Sequence, residues 1–275
     1  MASIIDQMTE IYCFVDDFLK AHTSLAHWRR SPNDEPPFAD AEVITIALMQ
    51  SCLGVDSLKQ TYNLINNNYA SAFPLICSYQ QWIARLHRLS PIIGRLFESA
   101  RLAGRIRLYL ADSKPIPVCK PIRHGRVRLL REDGAYFGKT SAGWFFGFKL
   151  HTLRDINGCI VDAILTPGNI DDRDPALELA QSVDGGILLG DLGYEGPKLA
   201  QLLADESELL LITRRDVPEQ RELHSSVRQG IETLFSQLWH NFIDRVFSRS
   251  WQGLWNTIKL KLLNYNLRHA GILSV

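Results

Sequence analysis

What the sequence lacks narrows its class first. There are only five cysteines in 275 residues, Cys13, Cys52, Cys77, Cys119 and Cys159, an odd number, widely spaced and never in a C-x-x-C pair. That pattern excludes a disulfide framework and a thiolate zinc site, and leaves reduced, mostly buried thiols. No apolar run approaches the length of a membrane helix, and the N-terminus has no basic region leading into an apolar core. The expectation is therefore a cytoplasmic protein with no membrane association. There is no G-x-S-x-G and no H-E-x-x-H, and the stretch Gly134 to Thr140 is one residue too short for a P-loop. Net charge is missing too: 30 Lys and Arg balance 30 Asp and Glu, which argues against a simple nucleic-acid binder.

What is present is an ordinary globular composition, 46% hydrophobic and 22% charged, in a chain long enough for one large core or two smaller ones. The zero net charge hides a segregation. Residues 101 to 154 hold twelve Lys and Arg against three Asp and Glu, whereas 155 to 211 hold two against twelve. A phosphate-binding surface beside a cation-binding, carboxylate-rich one has this character, as do two unrelated solvated faces.

The first hundred residues read as helices. Ile4, Met8, Ile11, Val15 and Phe18 recur at helical spacing, a Pro-rich loop from Arg29 to Asp40 follows, and further helices are predicted at 41–53, 57–67 and 78–89. Ser78 with Gln81 three residues on has the form of a capping box, and Pro91 opens another helix. An all-helical N-terminal domain over 1–103 is expected, of a size compatible with DNA binding or with a scaffold or dimerisation role.

Residues 104–275 have a mixed pattern. The run Arg105 to Asp112 reads as a strand ending on a carboxylate, with Ser113, Pro115 and Pro117 predicting its end near Asp112. A basic loop with Lys120, Arg123, Arg126 and Arg128 comes next, too charged to bury and suited to a phosphate backbone. Strands at 145–153 and 159–165 are joined through an Asn157-Gly158 turn, and alternation puts Lys149 and His151 on the face opposite Phe146, Phe148 and Leu150. Those two side chains can meet phosphate together, or His151 can be a plain hydrogen-bonding strand residue. Asp174-Pro175 reads as a helix start, and Gly185 to Asp191 as a second strand ending on Asp. The last region predicts a helix over about 227–242, capped by Ser226 and Gln229, on which Arg228 and Glu232 face the same way, and a further helix from Trp251 to Arg268.

Strand, strand and later helix thus carry Asp112, Asp191 and Glu232 in that order. In this order and in these surroundings, Leu108-Tyr109-Leu110-Ala111-Asp112, Gly190-Asp191-Leu192-Gly193-Tyr194 and Arg228-Gln229-Gly230-Ile231-Glu232, the chain resembles the DDE transposases of bacterial insertion sequences. The resemblance implies an α/β catalytic domain with an RNase H-like mixed sheet and flanking helices over 104–275, behind the helical N-terminal domain. It implies that Asp112, Asp191 and Glu232 are the catalytic and metal-binding carboxylates, that two Mg²⁺ ions are the cofactor, with Mn²⁺ able to substitute, and that Arg228 is the Arg that relatives place before the Glu. The partners implied are DNA, both the terminal inverted repeats and the target, and a second copy of the chain in a homodimer or larger active complex. Relatives often carry a Tyr three positions before the Arg and a Lys seven after the Glu; here those places are Ser225 and Trp239.

Chemistry gives its own reason for such a triad. In-line displacement at a phosphodiester builds charge on the attacking and leaving oxygens, and two Mg²⁺ ions about 3.5–4 Å apart stabilise both. Mg²⁺ takes oxygen ligands and keeps several waters, so a few carboxylates from separate elements suffice. Asp171, Asp172 and Asp174 compete for the third place, but a position before a helix explains them by capping and the helix dipole. Gly230 inside a helix costs about 1 kcal/mol relative to Ala, which predicts a close approach there. The same residues also allow an RNase H-like nuclease or resolvase, or an inactive, domesticated DNA-binding protein.

Overall fold

Serine caps set the first helices. In the computed structural model, which describes residues 3–26, 36–100, 106–213, 215–216 and 221–274, Ser3 caps α1 (Ile4–Ala21) in a reciprocal box with Asp6. The start of the Pro-rich loop and the 103/104 boundary lie outside the described residues. After α2 (Asp40–Cys52), Ser57 caps α3 (Leu58–Asn68), and Ser78 with Gln81 caps α4 (Tyr79–Arg88) as its spacing predicts. Pro91 stands in the first turn of α5 (Ser90–Ser99). The helix α2 is buried almost all round. Trp82 Nε1 donates to its Val43 carbonyl at 3.1 Å, and Asp40 pairs with Arg85 at 2.6 Å.

The second compact unit, Arg101–Trp251, is built on a six-stranded mixed sheet: β1 (Leu108–Cys119), β2 (Tyr136–Thr140), β3 (Gly143–Asp155), β4 (Ile160–Pro167), β5 (Gly186–Leu189) and β6 (Leu209–Ile212). The order is β2-β3-β1-β5-β6; β4 also pairs with β3, beyond the stretch that pairs with β2. The first three long strands run antiparallel, and β1, β5 and β6 run parallel. This is an α/β fold with an RNase H-like mixed sheet, preceded by a helical region. The short β2, which the sequence pattern shows only as a failed P-loop, is an edge strand. Its Gly138 has no room for a Cβ beside the Phe145 ring and the Gly168 carbonyl.

Contrary to what its prolines predict, β1 runs seven residues past Asp112. The reason is the direction of its backbone groups. Leu108 O accepts from Ile156 N at 2.9 Å on the β3 side, whereas Arg107 O accepts from Ile187 N at 2.8 Å on the β5 side. Odd-numbered residues therefore face β5, which pairs only with Leu108–Leu110. Pro115 and Pro117 lack an N–H where no strand waits for one, while the even-numbered groups continue the ladder to β3.

Helices cover both faces. On one, α6 (Arg173–Ala180) and α7 (Pro197–Ser207) bury Ala111, Leu153, Leu179, Leu188, Leu199 and Leu203 in one cluster. On the other lies α8 (Arg221–His240), with Ile231, Leu234, Phe235 and Leu238 buried. The helix α8 starts before Val227, so Ser226 and Gln229 are interior residues and Glu232 is mid-helix, not near a cap. Likewise α6 begins at Arg173 with Asp172, not Asp174, at the N-cap position.

The final helix, α9 (Trp251–His269), changes the domain division. Gln252–Val275 belongs with Met1–Ala100 in the helical unit, not with the sheet as a division into 1–103 and 104–275 has it. Leu254, Ile258, Leu260, Leu262 and Leu263 are all buried, and Asn264 Nδ2 donates to the Leu48 carbonyl of α2 at 3.2 Å. An apolar stripe says that a helix must be buried, and only the tertiary fold says against what.

Candidate active site

Parallel pairing of β1 with β5 matches Leu108 to Ile187, Tyr109 to Leu188 and Leu110 to Leu189. The same offset continued by two residues brings Asp112 level with Asp191, just beyond the end of β5. Gly190 lets the chain leave β5 in a tight turn, since a Cβ there would lie 2.7 Å from Tyr194 Cβ. Asp191 is exposed and accepts from Gly193 N at 2.8 Å, capping the short turn Leu192–Tyr194. Asp112 is largely buried: its side chain is 15% exposed, with Lys114 Nζ at 4.0 Å.

The electrostatics tie these groups together. Burial above all holds the Asp112 carboxyl above the ordinary carboxylate range; the Asp191 charge adds to this, while Lys114, the Ser113 N–H and Arg228 pull it back. Tyr194, buried under the turn, has its phenol pushed well up by burial and then by Asp112, Asp172 and Asp191, with Arg228 opposing. Arg228 has its Nη1 buried with no hydrogen-bond partner among the described residues. Asp112, Asp191, Asp172, Tyr194 and Arg228 thus share one neighbourhood.

Glu232 stands apart. It is exposed on α8, and among the described residues no hydrogen bond or ion pair links it to either aspartate. No group of three His, Cys, Asp or Glu side chains among the described residues is arranged to hold a metal ion. Two aspartates that repel one another, one of them desolvated, are a donor pair that a hard divalent cation relieves, so the Asp112–Asp191 part of the predicted set fits Mg²⁺ or Mn²⁺. The third carboxylate is not brought to them here.

Asp172 is the residue that sequence reasoning explained away. At the N-cap position of α6 it makes no capping bond. Its Oδ1 instead accepts from Ser113 Oγ at 2.9 Å and Lys149 Nζ at 2.9 Å, with His151 Nδ1 at 3.6 Å. Lys149 also donates to the Ile170 carbonyl at 2.6 Å, and His151, only 1% exposed, meets Thr166 Oγ1 through Nε2 at 2.8 Å. Burial pushes the His151 imidazole down to about 4, against the pull of Asp172, so the ring is neutral. Both candidate phosphate ligands of β3 are therefore turned inward, to Asp172. Alternation decides the faces: Ser113 and His151 are paired on the α6 side, while Asp112, paired with Thr152, is on the α8 side.

The basic segment between β1 and β2 behaves differently. Lys120, Arg123, Arg126 and Arg128 are all exposed in a chain of turns, and none has a carboxylate partner among the described residues. They are free to meet an anion. No helix among the described residues is long and apolar enough to cross a membrane.

Comparison with known proteins adds the family. Neither the curated proteins nor the solved structures give a significant match. A family model described as a transposase DDE domain matches residues 103–243, just over half of the chain, and that span contains Asp112, Asp191, Glu232, Arg228 and the whole sheet. The chain belongs to the DDE transposases of the insertion-sequence type.

Proposed function

We propose that this transposase cuts DNA at the ends of its mobile element and joins the freed ends to target DNA, with Asp112, Asp191 and Glu232 as its catalytic carboxylates. The observation that carries the reading is the shared register of β1 and β5, whose offset continued by two residues puts Asp112 on β1 level with Asp191 just past the end of β5. Mg²⁺, or Mn²⁺ in its place, supplies Lewis-acid stabilisation of the attacking and leaving oxygens when bound. Asp112 and Asp191 would hold it, and Glu232 would complete the set from α8.

The chain's own groups divide the remaining work. Partial burial of Asp112 keeps most water from its carboxylate, which strengthens the charge interactions made there. Arg228, with a free buried N–H, would grip a non-bridging phosphate oxygen beside Asp112. Lys120, Arg123, Arg126 and Arg128 would follow the backbone of the terminal inverted repeat, and two copies of the chain would hold two ends for joining. In an assay on duplex DNA carrying the inverted repeats that flank the gene, cleavage should need Mg²⁺ or Mn²⁺ and should disappear with EDTA. Asp112→Asn and Asp191→Asn should bind that DNA without cutting it; undiminished cutting by either variant sinks the assignment.

A further inference from the structure

Gly230 lies inside α8 because Arg154 occupies the space a side chain would need. A Cβ at Gly230 would collide with Arg154 Nη1 and would sit 3.0 Å from its Cζ and 3.2 Å from its Nη2. The guanidinium reaches there from β3, whose Arg154 pairs with Leu110 of β1, one step along the same face from the Asp112–Thr152 pair. Its Nε is buried and has no hydrogen-bond partner among the described residues. Burying such a donor unpaired is unfavourable, and an aliphatic side chain would fill the same gap without that penalty. The arrangement therefore calls for a role beyond filling space.

The helix geometry suggests which. With about 3.6 residues per turn, the buried stripe of Ile231, Leu234, Phe235 and Leu238 has Gly230 on one flank and Arg228 with Glu232 on the other. We propose that Arg154 is a positioning residue: seated on Gly230, its planar group sets the rotation of α8 about its axis and so holds Arg228 toward Asp112. This rests on the reading of Asp112 as a catalytic carboxylate.

The test uses the full-length chain with Arg154→Ala, Gly230→Ala and the double variant. Each single variant should slow single-turnover cleavage of inverted-repeat duplex in Mg²⁺, at saturating DNA, by roughly ten- to a hundredfold, the scale of an ångström-level misplacement. Affinity for the duplex should not change, which a merely unfolded fraction would not produce. Thermal melting gives a readout that needs no activity. Gly230→Ala should raise the melting temperature less when Arg154 is present, because the guanidinium must move aside, than in Arg154→Ala, where Ala is simply the better helix former. Additive shifts in melting temperature overturn the inference. So does a weaker affinity with a shallower salt slope in Arg154→Ala, which would make Arg154 a phosphate ligand, and so does normal cleavage by Arg154→Ala under conditions where Asp112→Asn is dead. Cleavage that survives Asp112→Asn overturns the site reading and this inference with it.

Discussion

The two faces of β1 at adjacent residues handle charge in opposite ways. On the α6 side, Ser113, Lys149, His151 and Thr166 gather around Asp172 in a network with its cation paired at 2.9 Å, while the neutral His151 ring keeps Nδ1 3.6 Å from Asp172 without a hydrogen bond. On the α8 side, Asp112 is desolvated, and Arg228 and Arg154 each bury an N–H with no partner among the described residues. A polar network with its charges paired is a structural element, because breaking it leaves a buried charge unpaired. A desolvated carboxylate beside buried guanidinium N–H groups without partners is the arrangement expected where a charged ligand completes the site. Asp172 and Asp112 look alike in the sequence, and their surroundings separate them.

The strongest way to break this contrast is to remove one carboxylate from each face. Asp112→Asn and Asp191→Asn should lower cleavage at least about a hundredfold, some 3 kcal/mol of transition-state stabilisation, with DNA binding retained in a gel-shift assay. Glu232→Gln should do the same. If instead Glu232→Gln cuts normally and Asp172→Asn is dead yet fully stable, the acidic turn after Pro167 supplies the third ligand and the contrast collapses. The basic segment sharpens it from outside the site. Neutralising Lys120, Arg123, Arg126 and Arg128 should weaken DNA binding and flatten log affinity against log salt by about 0.9 for each phosphate that the variant no longer neutralises. An unchanged slope would make these four a solvated loop.

Stability measurements probe the faces directly. Asp172→Ala should lower unfolding free energy in urea by about 2 kcal/mol, since Lys149 is left buried without its partner, a value reduced from the fully buried case by the partial exposure of Asp172. Asp112→Asn should move the other way. The folded carboxyl of Asp112 titrates above its unfolded value, so the folded state binds the proton more tightly and ionisation at higher pH costs stability. The Asn variant should therefore melt higher than wild type at neutral pH, and the difference should vanish below about pH 4, where the unfolded chain is protonated too. The smallest expected effect concerns His151. Its folded value is depressed, so its contribution is present above about pH 6.5 and is lost as pH falls toward 4, and His151→Gln should flatten the melting profile across that window.

The sequence alone determined the features that local chemistry carries. Ser78 and Gln81 announce a capped helix, Asn157-Gly158 a hairpin turn, and two apolar runs ending on Asp112 and Asp191 the pair of strands at the centre of the sheet. Each depends on residues within a few positions of one another, so periodicity and turn chemistry suffice. What the sequence could not decide depends on what stands opposite. Pro115 and Pro117 end a strand only when their missing N–H faces a partner, and the early end of β5 removes that partner. Asp172 caps a helix only when nothing competes for its carboxylate, and Ser113 and Lys149 compete. Gly230 predicted a close approach, and only packing named Arg154 as the group that makes it. The helix α9 reads as buried from its apolar residues, but its place in the helical unit is set by Leu48 and its neighbours, more than two hundred positions away. A hydrophobic stripe and a charged side chain state a need, and the tertiary structure selects which distant residue meets it.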